Sequence, residues 1–173
     1  MQPMVNIALR AARQAGEMIV KSADNLDLVK VDEKGAHDFV TEVDRRSEET
    51  IIYNIKKAYP DHRFLGEESG VSGNLESDVE WIIDPLDGTT NFVRGIPHVA
   101  ISIACRVKGR LEHAVILEPF KNEEFTASRG GGAKLNGRRI RVSGRAGEAG
   151  ALYATGIPFS APSFNEMDSY LAC

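Results

Sequence analysis

The sequence predicts an α+β fold in layers, a mostly antiparallel sheet packed on two N-terminal helices. Three observations carry that expectation. Apolar residues recur at helical spacing in two segments near the start of the chain. Beyond them, short runs rich in β-branched and aromatic residues follow one another from Val79 onward. Turn signals at Lys108-Gly109 and Asn136-Gly137 separate those runs.

The first helix is expected from about Pro3 to Lys21, with Val5, Ala8, Ala12, Ala15 and Ile19 on one face. Alanine content and a proline at its start favour it. Residues 22–37 are polar and broken by Gly35, which reads as a loop or a short strand. Thr41 can cap a second helix from about 42 to 58. Its acids come early and Lys56-Lys57 come late, as the helix dipole favours, and Pro60 ends it. "RFLGEES" reads as a strand leaving into a loop, and "SGVSGNLES" as a loop. "VEWIID" is a strand, "HVAISIACRVKGRLEHAVILEP" two strands, "NEEFTASR" another, and "KLNGRRIRV" a hairpin on a type I′ turn. "ALYATG" begins a further strand and "SFNEMDSYLAC" opens a helix. Residues 1–148 therefore read as one α+β unit, and 149–173 as the start of an incomplete second unit.

At 173 residues, 42% hydrophobic and 27% charged, the chain can bury a sizeable core and does not have the composition of a disordered one. A net charge of -4 and a pI of about 5.6 give no global sign of nucleic-acid or membrane binding. Cys105 and Cys173 cannot build a disulfide framework or a Cys-rich zinc site, so a reducing cytoplasm is the expected location. No membrane segment is expected. The Arg-containing start resembles a surface helix more than a transit peptide.

The chemistry concentrates in "WIIDPLDGTTNF". Asp84 and Asp87 stand three apart, with Pro85 stiffening the chain between them. Two such charges about 4 Å apart repel by about 1 kcal/mol in water, and by about 4 kcal/mol at an effective dielectric near 20. A cation would offset that cost. The following Gly88-Thr89-Thr90-Asn91 can open a helix whose N–H groups suit phosphate. Hard oxygen ligands of this kind suit Mg²⁺. Glu67-Glu68 in "GEES", and Asp38, Thr41 and Asp44 in "DFVTEVD", could approach the same corner. Carboxylates bridging two cations would activate a water for phosphoryl transfer. Taken singly, Asp-Gly is ordinarily a turn and an acidic cluster ordinarily a solvated face. "DPLDGTTNF" after an apolar strand is far more specific.

With "DFVTEVD", "GEES" and "WIIDPLDGTTNF" in that order, the chain resembles the inositol monophosphatase family of Mg²⁺-dependent, lithium-sensitive phosphatases. Within it, the bacterial extragenic-suppressor (SuhB-type) branch is the best match. The resemblance runs from about residue 4 to 160. It implies the layered sandwich of the sugar phosphatases. It implies metal ligation by Glu67, Asp84 and the Leu86 carbonyl, with Asp84 and Asp87 at a second metal. Asp44 and Thr89 would orient the attacking water, with Glu67 assisting. Asp87, Gly88 and Thr89 would hold phosphate and substrate, and Lys34 and Glu68 would support the site. The implied substrate is myo-inositol 1-phosphate or a related sugar or polyol phosphate, hydrolysed by a metal-activated water. The resemblance leaves open a fructose-1,6-bisphosphatase or a nucleotide 3′-phosphatase. It also leaves open a regulatory role beside RNA polymerase and ribosomal RNA, and a homodimer. The family's Trp-Asp-x-Ala-Ala-Gly motif, which completes the second metal site, is absent from this sequence, so the chain reads as C-terminally shortened.

Smaller signals weigh less. "GGGAKLNG" precedes a hairpin and not a helix, so it reads as a glycine turn. Lys134, Arg138, Arg139, Arg141 and Arg145 form a basic run that could touch RNA or a protein. It lacks the aromatic residues of a stacking platform and reads first as a solvated face. The four histidines are scattered without zinc-ligand spacing. Cys105 lies in an alternating run and reads as core.

Overall fold

The structure is a computed structural model that describes residues 2–26, 29–35 and 38–153, with the backbone alone for 31–35 and 38–40. Helix α1 (Pro3–Ala23) starts at a proline and buries Val5, Ala8, Leu9, Ala12, Ala15 and Ile19. Its small residues let it lie close on the sheet. A Cβ on Gly16 would come within 2.8 Å of the Leu117 side chain. Strands β1 (Val31–Gly35) and β2 (Asp38–Thr41) form a separate antiparallel pair. Helix α2 (Glu42–Ala58) follows directly and packs beside α1.

The main sheet has eight strands. They are β3 (Arg63–Gly66), β4 (Gly70–Gly73), β5 (Val79–Asp87), β6 (Ala100–Val107), β7 (Arg110–Glu118), β8 (Glu123–Ser128), β9 (Gly132–Leu135) and β10 (Arg138–Ile140). Their order is β10-β9-β8-β7-β6-β5-β3-β4. All neighbours are antiparallel except β3 and β5. Alternation sends Phe64, Trp81, Ile83, Ile101, Ile103, Cys105, Val115 and Leu117 toward the two helices, where they form one buried core. Burial pushes the Cys105 thiol up to about 11, which suits a core residue.

The predicted α+β architecture is the observed one, with three corrections. The segment expected to be a loop, "SGVSGNLES", contributes β4, because Gly70–Gly73 pairs with β3 as an edge strand despite its turn-like composition. β5 does not stop at Asp84. It runs to Asp87 with a break in register between the two, which absorbs Pro85. The strand expected from Ala151 is absent over 151–153, and its remainder and the C-terminal helix lie outside the described residues. The segment left open between loop and strand contains β1. The 136–137 turn has positive φ at both residues, 48° and 78°, as a type I′ turn requires.

Candidate metal and phosphate site

The site is built on one face of α2. Thr41 caps the helix, and its hydroxyl accepts from Val43 N at 3.1 Å and from Asp44 N at 3.3 Å. The Asp44 carboxylate returns the favour. Its Oδ2 accepts from Thr41 N at 2.8 Å and from the Thr41 hydroxyl. Its Oδ1 accepts from Thr89 Oγ1 at 2.9 Å, across 45 residues of chain. Asp44 is 2% exposed, so its end of this bond is shielded from water.

The next two inward positions on the same helix hold the other loops. Ser47 Oγ donates to the Pro85 carbonyl at 2.8 Å. Glu48 accepts from the amides of Glu68 and Ser69, each at 2.9 Å. The sequence reading missed both residues. The available signal was their polarity at helical spacing from Asp44, on the face that also buries Ile51 and Ile55.

Beyond β5, Gly88 takes a left-handed conformation at φ 93°. It turns the chain into α3 (Thr89–Val93), a short helix anchored by buried Phe92. Leu86 buries its side chain while its carbonyl stands 3.1 Å from Thr89 Oγ1, an alternative acceptor for the one hydroxyl proton that also faces Asp44. Leu86 N donates to Asp84 Oδ1 at 3.2 Å. Burial pushes the Asp84 carboxyl above the usual carboxylate range. The charges of Asp87 and Asp44 push the same way, while hydrogen bonds to Glu67 and to Leu86 N oppose them. The structure thus brings Asp44, Glu67, Asp84, Leu86, Asp87 and Thr89 into one neighbourhood. Asp87 and Gly88 also line a cavity of about 420 Å³ with Asn91, His98, Glu118 and Lys121. Lys34 lies on β1, described by its backbone alone. Glu68 joins the site through its amide.

Among the described residues, no three His, Cys, Asp or Glu side chains stand ready at ligating geometry. The donors nevertheless fit a hard cation. They are carboxylate and carbonyl oxygens without nitrogen or sulfur, and they gather around a carboxyl that burial and like charges disfavour as an anion.

Comparison with known proteins identifies the family. A family model described as the inositol monophosphatase family matches residues 1–168. The Nus factor SuhB of Pseudomonas aeruginosa is 60% identical over 173 residues, covering 99% of this chain and 64% of the relative. The chain thus spans less than two thirds of that relative's length. Among solved structures, the extragenic suppressor protein suhB from Bartonella henselae superposes with a TM-score of 0.81 at 42% identity, covering 83% of this chain and 56% of that one. The Thermotoga maritima IMPase gives 0.75 at 36% identity, covering 84% and 56%. No helix among the described residues is long and apolar enough to cross a membrane.

Proposed function

The chain belongs to the inositol monophosphatase family, and on that premise we propose that it carries the metal- and phosphate-binding part of a Mg²⁺-dependent phosphomonoesterase. The observation that carries this reading is the Thr89–Asp44 hydrogen bond beside the Asp84–Asp87 corner. Asp44 fixes the Thr89 hydroxyl as a donor toward itself, so the Thr89 oxygen keeps lone pairs for an incoming water. Thr89 thereby orients that water toward phosphorus, and the buried Asp44 carboxylate draws off developing positive charge. Glu67, Asp84, Asp87 and the Leu86 carbonyl would hold Mg²⁺, which supplies Lewis-acid stabilisation of the phosphoryl oxygens when bound. Gly88 and Thr89 amides cradle the phosphate, and Asp87 meets a substrate hydroxyl. Myo-inositol 1-phosphate or a related sugar or polyol phosphate is the proposed substrate class.

The test is phosphate release from myo-inositol 1-phosphate by the purified chain, with and without Mg²⁺, beside Asp84→Asn. Mg²⁺-dependent release that Asp84→Asn abolishes supports the reading. Release that ignores both the metal and the substitution overturns it.

A second reading is favoured by the relative's name, Nus factor SuhB, and by the exposure of Arg138, Arg139, Arg141 and Arg145 along and beyond β10. In it, the basic edge meets RNA polymerase or RNA. Association that survives Asp84→Asn would separate this role from catalysis, and association lost with it would join the two.

A further inference from the structure

We propose that Glu48 is a positioning residue that sets the affinity of the acidic corner for its divalent cation. The inference rests on the metal-binding reading above. Glu48 is 2% exposed on the inward face of α2 and reaches across to the turn after β3. Both of its carboxylate oxygens are engaged, Oε2 by the amide of Glu68 and Oε1 by the amide of Ser69, each at 2.9 Å. Charge-assisted bonds of this kind are strong, and a buried carboxylate without them would be costly. They pin the backbone immediately after Glu67. Glu67 N itself donates to Ile83 O at 3.0 Å on β5. The backbone at Glu67 is therefore held on one side by β5, the strand that carries Asp84 and Asp87, and on the other, through Glu68 and Ser69, by α2, the helix that carries Asp44.

A second observation shows that the sequence makes room for this contact. A Cβ on Gly66 would stand 2.3 Å from Glu48 Oε2 and 2.7 Å from Oε1. Glycine at 66 leaves the space that the carboxylate fills. Glu48 holds the backbone amides of Glu68 and Ser69, so it acts through the placement of Glu67. The outer supports of metal ligands commonly change affinity by roughly 10–100-fold when removed.

Two variants break the contact from opposite sides. Glu48→Gln turns one acceptor into a donor facing an amide. Gly66→Ala pushes the flexible end of Glu48 aside and keeps its charge. Ile55→Val, in the same helix and fully buried, serves as the control for stability alone. The readouts are Mn²⁺ binding followed by the paramagnetic signal of the free ion, and amide hydrogen exchange at residues 68 and 69. The expected result is roughly tenfold weaker Mn²⁺ binding in Glu48→Gln and in Gly66→Ala. Both should lose protection at 68 and 69, and the double variant should be no worse than either single one. Ile55→Val should lower Tm and leave Mn²⁺ binding unchanged. Unaltered Mn²⁺ affinity in the two folded variants would overturn the role of Glu48 and leave the metal reading standing. Mn²⁺ binding that is missing from the parent, or unchanged by Asp84→Asn, would overturn the metal reading and this inference with it.

Discussion

The two ends of β5 carry acids in opposite circumstances, Glu80 buried and Asp84 half-buried. Near its start, Glu80 is 5% exposed and lies between Arg63, at 3.0 Å, and Arg106. At its far end, Asp84 shares its surroundings with Glu67, Asp87 and Asp44, and no lysine or arginine among the described residues is paired with Asp84 or Asp87. The neighbouring strands β3 and β6 thus supply counter-ions for the carboxylate at one end of β5, and no described arginine or lysine does so for Asp84 or Asp87 at the other. A charge that serves the fold is neutralised by the chain. On the function proposed above, the charge at the acidic end is left for a cation from solution to neutralise, and it costs stability meanwhile.

The largest expected effect breaks the comparison at the acidic end. Asp84→Asn should lower Mg²⁺-dependent phosphate release by roughly 100-fold or more. In EDTA the same variant should melt above the parent, because it removes an anion that burial and its neighbours disfavour. Asparagine can keep the bond from Leu86 N. A lower melting temperature in EDTA would contradict the difference between the two ends of β5.

Next in size, Mg²⁺ at about one hundred times its Kd should stabilise the parent by about 2.7 kcal/mol in urea titrations, and should leave Asp84→Asn almost unmoved. At the compensated end, Glu80→Gln should cost about 1–2 kcal/mol without touching phosphate release. The figure is reduced from that of a fully buried pair because the arginine side chains are 36% and 41% exposed. An effect of Glu80→Gln on Mg²⁺ dependence would show that the two ends are coupled.

The smallest effect concerns His62, beside the same compensated end. Its Nδ1 accepts from Trp81 Nε1 at 3.0 Å, and its ring stacks on Tyr59 at 4.8 Å. Burial holds it below the usual histidine range, with Asp61 opposing. A depressed histidine contributes stability that is complete above the unfolded value of about 6.5 and is lost as pH falls through the lower folded value. The parent should therefore lose more stability than His62→Gln on going from pH 7.5 to 5. The fluorescence of Trp81, the chain's one tryptophan, reads that loss.

Much of this contrast was legible in the sequence, and the reasons are local. Thr41 and Asp44 form a cap whose parts lie three residues apart, and the Asp-Pro-Leu-Asp-Gly-Thr-Thr corner folds within one short segment. Helix α2 has the bounds that its cap and Pro60 foretold. The contacts of Ser47 and Glu48 were not legible, because their partners lie 38 and 20 residues away and no local propensity reports a pairing that tertiary packing creates. β4 was hidden for a related reason. Two glycines and a serine look like a turn, and only the register against β3 makes them a strand. The spacing of Asp84 and Asp87 was plain in the sequence, but the partial burial of Asp84 and the share of Asp44 in its surroundings needed the fold.

Asp44, Ser47 and Glu48 lie within little more than one turn of α2, and each holds a different loop of the site. That concentration sets how the gene can change. Each residue added to or removed from a helix rotates everything beyond it by about 100°. A single codon gained or lost between Thr41 and Asp44 would swing all three anchors off the sheet together, while point changes on the outer face, at Arg45, Arg46 or Glu49, leave them in place. Insertions in this helix are therefore the changes that the lineage should tolerate least, and the surface loop at 74–78 is where length can drift.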